Sequence, residues 1–362
     1  MPPRQKKFPS TKTSARLPDR NGDIPTLDSL FQHAGLVRNL RGKSGARNRS
    51  RADRLERSAP EELRRPLLPP TAALNGVQFL SIPAWGKLPW LWHGFSTRNG
   101  GVSRAYCAED APGELNLGFT ADDPREFVAR NRALFTEAIS GSAATPLITL
   151  RQIHSNLIRV VTAGDAARDR PWKADGIITA TPGILIGIQT ADCIPVLVAD
   201  KKRRIVAAFH AGWRGTVKRI IELGIGRMRL EFGSRPQDLL AVIGPGAGPC
   251  CYSVGEEVQS EFESQFTYAR ELFHEVYSAD AVHLKYPMLF LTQCAPGHSP
   301  IGPNLHLDLI EANRRQLLDA GLSPRAIQIT GGCTNCQTDL FFSHRASRGY
   351  AGRLMAVIGL KP

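Results

Sequence analysis

A chain of 362 residues with 42% apolar content can hold one large domain or two average ones around a substantial core. It contains no run of 18 or more apolar residues, which excludes an α-helical membrane span. The net charge of +13 suggests nucleic acid until it is located: residues 1–73 carry 16 Lys and Arg against 7 Asp and Glu, while the remaining 289 carry 30 against 26.

The basicity therefore belongs to an N-terminal segment and is no guide to the fold. From Met1 to about Thr71 that segment is rich in Arg, Pro and Ser and poor in aromatics, and LLPP (Leu67–Pro70) punctuates its end. Such a composition buries too little apolar surface to offset the entropy of ordering. A disordered basic extension over 1–73 is expected, followed by a single catalytic domain over 74–362. The RNRSR run (Arg47–Arg51) leaves room for nucleic-acid contact through the tail alone. The basic start has no apolar stretch behind it, unlike a secretory signal, and seven Cys residues including an adjacent pair do not suit a disulfide framework. A cytoplasmic protein is the expectation.

Beyond the tail, strands and helices interleave. DPRE (Asp123–Glu126) predicts a helix start, with Asp as cap and Pro at the first helical position. Ile184–Ile188, Pro195–Val198 and Arg204–Phe209 are short β-branched runs that read as strands. Thr216–Leu230 has apolar residues at helical spacing. Ala241–Ile243 adds a strand, and SVGE (Ser253–Glu256) has capping-box form. Residues 266–304 read as a loop insertion containing Cys294 and His298. Asp308 and Glu311 open a helix over Leu309–Ala320 that Gly321 would stop. Ile327–Thr330 and Leu354–Leu360 complete the strands. The order lacks a regular βαβ rhythm, so one α/β domain that is not doubly wound is expected.

Three segments set a strong metal ligand at the edge of an apolar stretch: RQIHS (Arg151–Ser155), TADC (Thr190–Cys193) and FHAGWRG (Phe209–Gly215). His154, Cys193 and His210 would suit a catalytic zinc, which needs two or three rigid ligands and one open position. Their spacing of 39 and 17 residues is not diagnostic by itself. CTNC (Cys333–Cys336) looks like half a zinc knuckle, and adjacent Cys250 and Cys251 have the wrong spacing to complete it, so a structural role is expected. GPGAGP (Gly244–Pro249) lacks the Lys-Ser/Thr of a phosphate loop and reads as a tight turn.

The full series runs HGFSTRNGG (His93–Gly101), LNLG (Leu115–Gly118), DDP (Asp122–Pro124), QIH (Gln152–His154), ADG (Ala174–Gly176), TADC, HAGWRG (His210–Gly215), IGPGAGPCCY (Ile243–Tyr252) and CTNC. In that order these motifs resemble the YfiH-like family, also called laccase-domain proteins or purine nucleoside phosphorylases, over about Ala84–Leu360. The resemblance implies a mixed α/β sandwich-like fold related to the bacterial deamidating toxins, and a mononuclear zinc held by His154, Cys193 and His210. It further implies phosphorolysis of adenosine, inosine and S-methyl-5'-thioadenosine, with purine nucleosides and phosphate as partners, and hydrolytic deamination of adenosine.

Arg98, in a hydroxyl-bearing turn, and Arg214 offer charge-assisted donors for phosphate. Asn116 and Gln152 offer amides for a purine edge or a ribose hydroxyl. Asp192 is the carboxylate nearest Cys193, although on a strand it would point the other way. Two other activities use the same residues. A copper-dependent polyphenol oxidase needs His-x-His pairs for a trinuclear cluster, and none occurs among the nine His, although copper(II) binds such nitrogen and thiolate donors tightly. A cysteine hydrolase acting on peptides or cell-wall precursors would use Cys193 as nucleophile with His210 or His154 as base.

Overall fold

The computed structural model describes residues 61–276, apart from 109 and 169, and residues 304–362. Expectations for residues 1–60, and for Cys294 and His298, lie outside the described residues. In chain order come β1 (Thr71–Ala72), β2 (Gln78–Leu80), α1 (Pro83–Gly86), β3 (Leu91–Ser96), β4 (Asn99–Ser103), α2 (Arg125–Ser140), β5 (Leu147–Thr149), β6 (Ile158–Val160), β7 (Gly176–Thr179) and β8 (Leu185–Thr190). Then follow β9 (Ile194–Asp200), β10 (Ile205–Ala211), α3 (Trp213–Val217), α4 (Ile220–Phe232), β11 (Leu239–Ile243), α5 (Glu256–Gln265), β12 (Phe273–Val276), β13 (Asn304–Leu307), α6 (Leu309–Asp319), β14 (Ile327–Ile329) and β15 (Leu354–Leu360).

Two six-stranded sheets form, in the orders β1-β2-β3-β15-β8-β5 and β14-β11-β9-β10-β7-β6. Most ladders are antiparallel; β5–β8, β6–β7 and β11–β14 are the parallel pairs. The sheets pack face to face. Phe95, Ile186, Ile188, Ala356 and Ile358 of the first meet Leu197, Ala199, Val206, Ala208 and Val242 of the second. The other face of the second sheet, with Val196, Val198, Ala207 and Phe209, is covered by Ile221, Ile225 and Met228 of α4 and by Leu309 and Leu317 of α6. On the far side, Phe135 of α2 packs with Leu185, Met355 and Val357 of the first sheet.

The result is a mixed α/β sandwich of two sheets between helices, as expected. It also explains why β8, β9, β10 and β15 are nearly continuous apolar runs: alternate side chains face two different cores, so neither face needs to be polar.

Local differences from the sequence reading have physical causes. The helix predicted over Thr216–Leu230 is two helices, because Arg219 adopts a left-handed φ of 58° and breaks the ladder between α3 and α4. Asp123 does not cap α2. Its carboxylate instead accepts hydrogen bonds from Ser103 Oγ (2.5 Å) and Asn116 Nδ2 (2.7 Å), tying the end of β4 to the loop that carries Asn116. Nor does Ser253 cap α5, which starts at Glu256 behind Gly255; Ser253 accepts from Arg345 through both its carbonyl and its hydroxyl. Asp308 does cap α6, accepting from the Glu311 N–H, and Gly321 follows that helix at φ 93°.

The stretch 62–73 belongs to the fold rather than to a free tail. Arg65 donates to the cap carboxylate of Asp308 (2.7 Å), Leu68 N–H bonds the Thr330 carbonyl, and Gly332 N–H bonds the Arg65 carbonyl. Leu67 and Leu68 pack on the inter-sheet core. A few well-placed hydrogen bonds and two leucines order a segment whose average composition argues against it.

Candidate metal centre

β7 and β10 are antiparallel neighbours with Phe209 opposite Gly176. This pairing sets Asp175, just before β7, beside His210 near the end of β10, and His210 N–H donates to the Asp175 carbonyl (2.8 Å). Asp175 is completely buried, and a buried carboxylate persists only if its oxygens are satisfied. They are. Oδ1 accepts from His154 N–H (3.0 Å) and His210 Nδ1 (2.9 Å), and Oδ2 accepts from Ser155 N–H (2.6 Å) and Ser155 Oγ (2.7 Å). Ile153 N–H lies 3.2 Å from both oxygens.

Two consequences follow for the ligands. A carboxylate cannot donate, so His210 Nδ1 must carry the proton, leaving Nε2 as the ring's metal-binding atom. The 153–155 loop is wrapped on the same carboxylate, which holds His154 at a left-handed φ of 56°. Such a conformation costs about 1 kcal/mol or more outside glycine, and the converging N–H bonds offset it.

Cys193 reaches the site from the other direction. Thr190 ends β8 in the first sheet and Ile194 begins β9 in the second, so residues 191–193 carry the chain between sheets. Cys193 Sγ lies 3.9 Å from His154 Nε2, the His154 and His210 rings are 5.0 Å apart, and the three ligand atoms all lie within 4.8 Å of one another. His210 is buried, Cys193 half-buried and His154 exposed, so the cluster opens to solvent on the His154 side. Gly212 completes the cradle: a Cβ there would stand 2.8 Å from Cys193 Sγ and 3.3 Å from His154 Cδ2. Only glycine leaves the donors room.

Without a metal, electrostatics favour a Cys193 thiolate beside a His210 imidazolium, and a bound metal ion would take the place of the Nε2 proton. Burial pushes the Cys193 thiol up, but the positive charge of the His210 imidazolium beside it and the hydrogen bond with His154 outweigh burial and bring it down to about 6. His210 is held up at about 9 against burial by Cys193 and Asp175. Burial would raise Asp175, but hydrogen bonds from His210 and Ser155 depress it to about 2. A thiolate, two imidazoles and one open side suit a single soft or borderline metal ion with a vacant coordination position.

The other singled-out residues are placed as follows. Arg98 donates to Glu114 Oε1 and the Thr338 carbonyl (both 2.5 Å) and lies over the Phe342 ring. Asn116 is fully buried: its Nδ2 serves Gly118 O and Asp123, and its Oδ1 accepts from Gly118 and Arg353 N–H. Gln152 clamps Gln189, donating to its carbonyl and accepting its N–H, both at 2.7 Å. Both amides, expected to read a purine edge or a ribose hydroxyl, are hydrogen-bonded within the protein, Gln152 to backbone and Asn116 to backbone and to Asp123. Arg214 is exposed over the Trp213 ring at the start of α3. Asp192 lies in a bend at φ 88° rather than on a strand, yet its carboxylate does turn away, to Thr334 Oγ1, Ser343 Oγ and Arg345 N–H. Asp175 carried no assigned role in the sequence, although a lone carboxylate before GIIT was the available signal.

The family model described as "Multi-copper polyphenol oxidoreductase laccase" matches residues 92–361. A protein of Deinococcus radiodurans named purine nucleoside phosphorylase is 37% identical over 268 residues, covering 74% of this chain and 88% of that protein. The Bacillus subtilis purine nucleoside phosphorylase YlmD is 33% identical, with the same coverage of each chain. Among solved structures, the Bacillus licheniformis hypothetical protein YfiH superposes with a TM-score of 0.65 at 31% identity, covering 79% of this chain and 96% of that one. Sequence motifs, sandwich topology and these matches agree: the chain belongs to the multi-copper polyphenol oxidoreductase laccase family, whose Escherichia coli YfiH and Bacillus subtilis YlmD relatives are named purine nucleoside phosphorylases.

Proposed function

We propose that this chain is a zinc-dependent purine nucleoside phosphorylase, cleaving adenosine, inosine and S-methyl-5'-thioadenosine with phosphate and also deaminating adenosine. The observation that carries the reading is the convergence of His154, Cys193 and His210 around one open position, with Asp175 behind two of them. The names of the relatives supply the substrate class. A zinc ion held by these three side chains supplies Lewis-acid chemistry.

The chain's own groups do the rest. Asp175 fixes the His210 tautomer and the His154 loop, so the donors are organised before any ligand arrives. Arg214, exposed four residues beyond His210, is the side chain we assign to the phosphate, which it can hold through two parallel N–H bonds. Gln152 acts by positioning, since its clamp on Gln189 ties the His154 loop to β8. Arg98 and Asn116 act by bracing the 114–118 loop. Asp192 is not assigned the proton transfer that deamination requires, because its oxygens are committed elsewhere.

A second reading has an observation of its own. Cys193, His210 and Asp175 form a nucleophile–base–orienter chain with the thiol already near 6, as a cysteine hydrolase would require. Copper oxidase chemistry is less well supported. Among the described residues, the metal-ligand groups are this one and a set of four cysteines, with no His-rich cluster for a multicopper centre.

The deciding experiment is metal analysis of purified protein, with product identification from adenosine in the presence and absence of phosphate. The phosphorylase reading expects adenine and ribose 1-phosphate only with phosphate, inosine either way, and a Cys193 shielded from alkylation while metal is bound. A metal-poor protein with a rapidly alkylated Cys193 and no nucleoside turnover would favour the hydrolase instead. Rapid phenol oxidation by a copper-loaded protein inert toward adenosine and inosine would favour the oxidase.

A further inference from the structure

The four cysteines Cys250, Cys251, Cys333 and Cys336 were expected to be unrelated, because their spacing in the chain does not match two knuckles. The fold brings them together. β11 and β14 run parallel as neighbours, so the loops that follow them leave the sheet at the same end. Gly246 bridges Cys333 in parallel fashion, Thr334 N–H bonds the Gly246 carbonyl (3.0 Å), and Gly248 N–H points at Cys333 Sγ (3.2 Å). Cys336 Sγ then lies 3.6 Å from Cys250 Sγ and 3.3 Å from Cys251 Sγ, and all four sulfurs fall within 4.8 Å of one another. Cys250 and Cys333 are buried; Cys251 and Cys336 are half-buried.

We propose that these four cysteines form a second metal site, a closed tetrathiolate zinc centre that is separate from the open His154–Cys193–His210 cluster. Distance supports it. Four sulfurs placed tetrahedrally about 2.3 Å from one zinc stand about 3.8 Å apart; the two closest separations given above fall a few tenths of an ångström short of that value, and every pair lies within 4.8 Å. A disulfide pair would single out one partner, whereas Cys336 lies almost equally close to two. Donor chemistry agrees too: thiolates in fourfold coordination select zinc over copper(II), which prefers nitrogen and oxygen in tetragonal sites.

On binding, each thiol passes its proton to solvent as its sulfur bonds the metal, which leaves the site with a formal charge of −2. The Gly248 N–H already aimed at Cys333 is the kind of donor that supports thiolate charge. The set is closed, with no histidine or carboxylate and no open position, so its role is structural rather than catalytic. It would join the loop after β11 to the loop after β14. Both loops touch the turn that presents Cys193: Ala247 N–H bonds the Asp192 carbonyl (2.8 Å), and Thr334 Oγ1 bonds the Asp192 carboxylate (2.7 Å).

This inference is independent of the nucleoside reading, and its test counts metal rather than turnover. The full chain, purified without chelator, is analysed for zinc as wild type, as Cys193→Ala and as the double variant Cys333→Ser/Cys336→Ser. About two equivalents are expected in the wild type and about one in each variant. Cobalt(II) exchanged into Cys193→Ala should give the intense visible and near-ultraviolet bands of tetrahedral cobalt bound by thiolates. The double variant, where its remaining metal is replaced by cobalt, should lack the strongest sulfur charge-transfer bands. If the double variant does not fold, the zinc count and cobalt spectrum of Cys193→Ala decide alone. Cys193→Ala without zinc overturns the proposal, as does iron in place of zinc. So does a wild-type mass two hydrogens low that maps to a disulfide among these cysteines.

Discussion

Asp175→Asn is the most informative single substitution at the open site, since one carboxylate serves both histidines. Five donors converge on it: the N–H groups of Ile153, His154 and Ser155, Ser155 Oγ and His210 Nδ1. An amide has one oxygen where the carboxylate has two, and its NH2 must face donors. If the oxygen stays with His154 and His210, the NH2 confronts the N–H and hydroxyl of Ser155. If the amide flips, it confronts both histidine contacts. Each buried donor left without an acceptor costs about 1–3 kcal/mol, so the substitution should destabilise the metal-free protein by about 2–4 kcal/mol.

Loss of an outer partner of a metal-bound histidine typically lowers metal affinity 10–100-fold. For Asp175→Asn this would appear in chelator competition as an affinity loss of about 1.4–2.7 kcal/mol. Thermal melting of the metal-free protein and zinc competition together separate the two effects. Zinc affinity within about twofold of wild type would refute the argument that Asp175 organises both ligands.

Arg214→Ala should raise the KM for phosphate about tenfold or more, the worth of a charge-assisted contact, at unchanged melting temperature; equal loss of deamination would point to the metal site instead. Arg98→Ala should act differently, lowering stability by about 3–5 kcal/mol because it strands the largely buried Glu114 carboxylate; a melting temperature equal to wild type would remove that role. Deletion of residues 1–60 should leave the melting temperature unchanged, whereas deletion of 1–70 should lower it by about 5 °C through loss of the Arg65 and Leu68 contacts; equal melting temperatures would show that 61–70 contribute nothing. His93 accepts the Ile82 N–H at Nε2, and burial lowers its pKa from 6.5 to about 4. The unfolded chain therefore takes the proton first, and stability present above pH 6.5 falls by up to about 3 kcal/mol as pH drops toward 4; His93→Gln should flatten denaturant-measured stability across that window, and an unchanged slope would count against it.

What the sequence revealed and what it concealed have distinct physical origins. The core strands were legible because burial on both faces leaves apolar runs that need no partner to be recognised. His154, Cys193 and His210 were legible as short motifs with strong ligand chemistry, although their convergence depends on the turn between the two sheets. Asp175 had no assigned role because its function is to accept hydrogen bonds from residues about 20 positions before and 35 after it, a relation set by the β7–β10 pairing. The four cysteines were separated for the same reason: chain spacing reports a metal site when one loop or hairpin carries the ligands, not when two parallel strands deliver them. Arg219 and Asp123 misled locally, since a left-handed Arg219 interrupts the helix pattern and hydrogen bonds from Ser103 and Asn116 take the carboxylate that the cap pattern needed.

The turn at 191–193 connects these points. A chain that leaves one sheet at Thr190 and enters the other at Ile194 must reverse its course in three residues, and Asp192 takes a φ of 88° to do so. That conformation costs on the order of 1–3 kcal/mol for a residue with a side chain. Three hydrogen bonds to its carboxylate, from Thr334, Ser343 and Arg345, and one to its carbonyl, from Ala247, are the compensation. Two of these donors, Ala247 and Thr334, sit in the loops that carry the four cysteines. The same inter-sheet crossing presents Cys193 to the histidines. A strained turn persists only where its surroundings over-determine it, and here those surroundings are the ends of β11 and β14. The position of the Cys193 sulfur thus depends on how firmly those two loops are joined, which gives a closed metal site there a physical reason to exist.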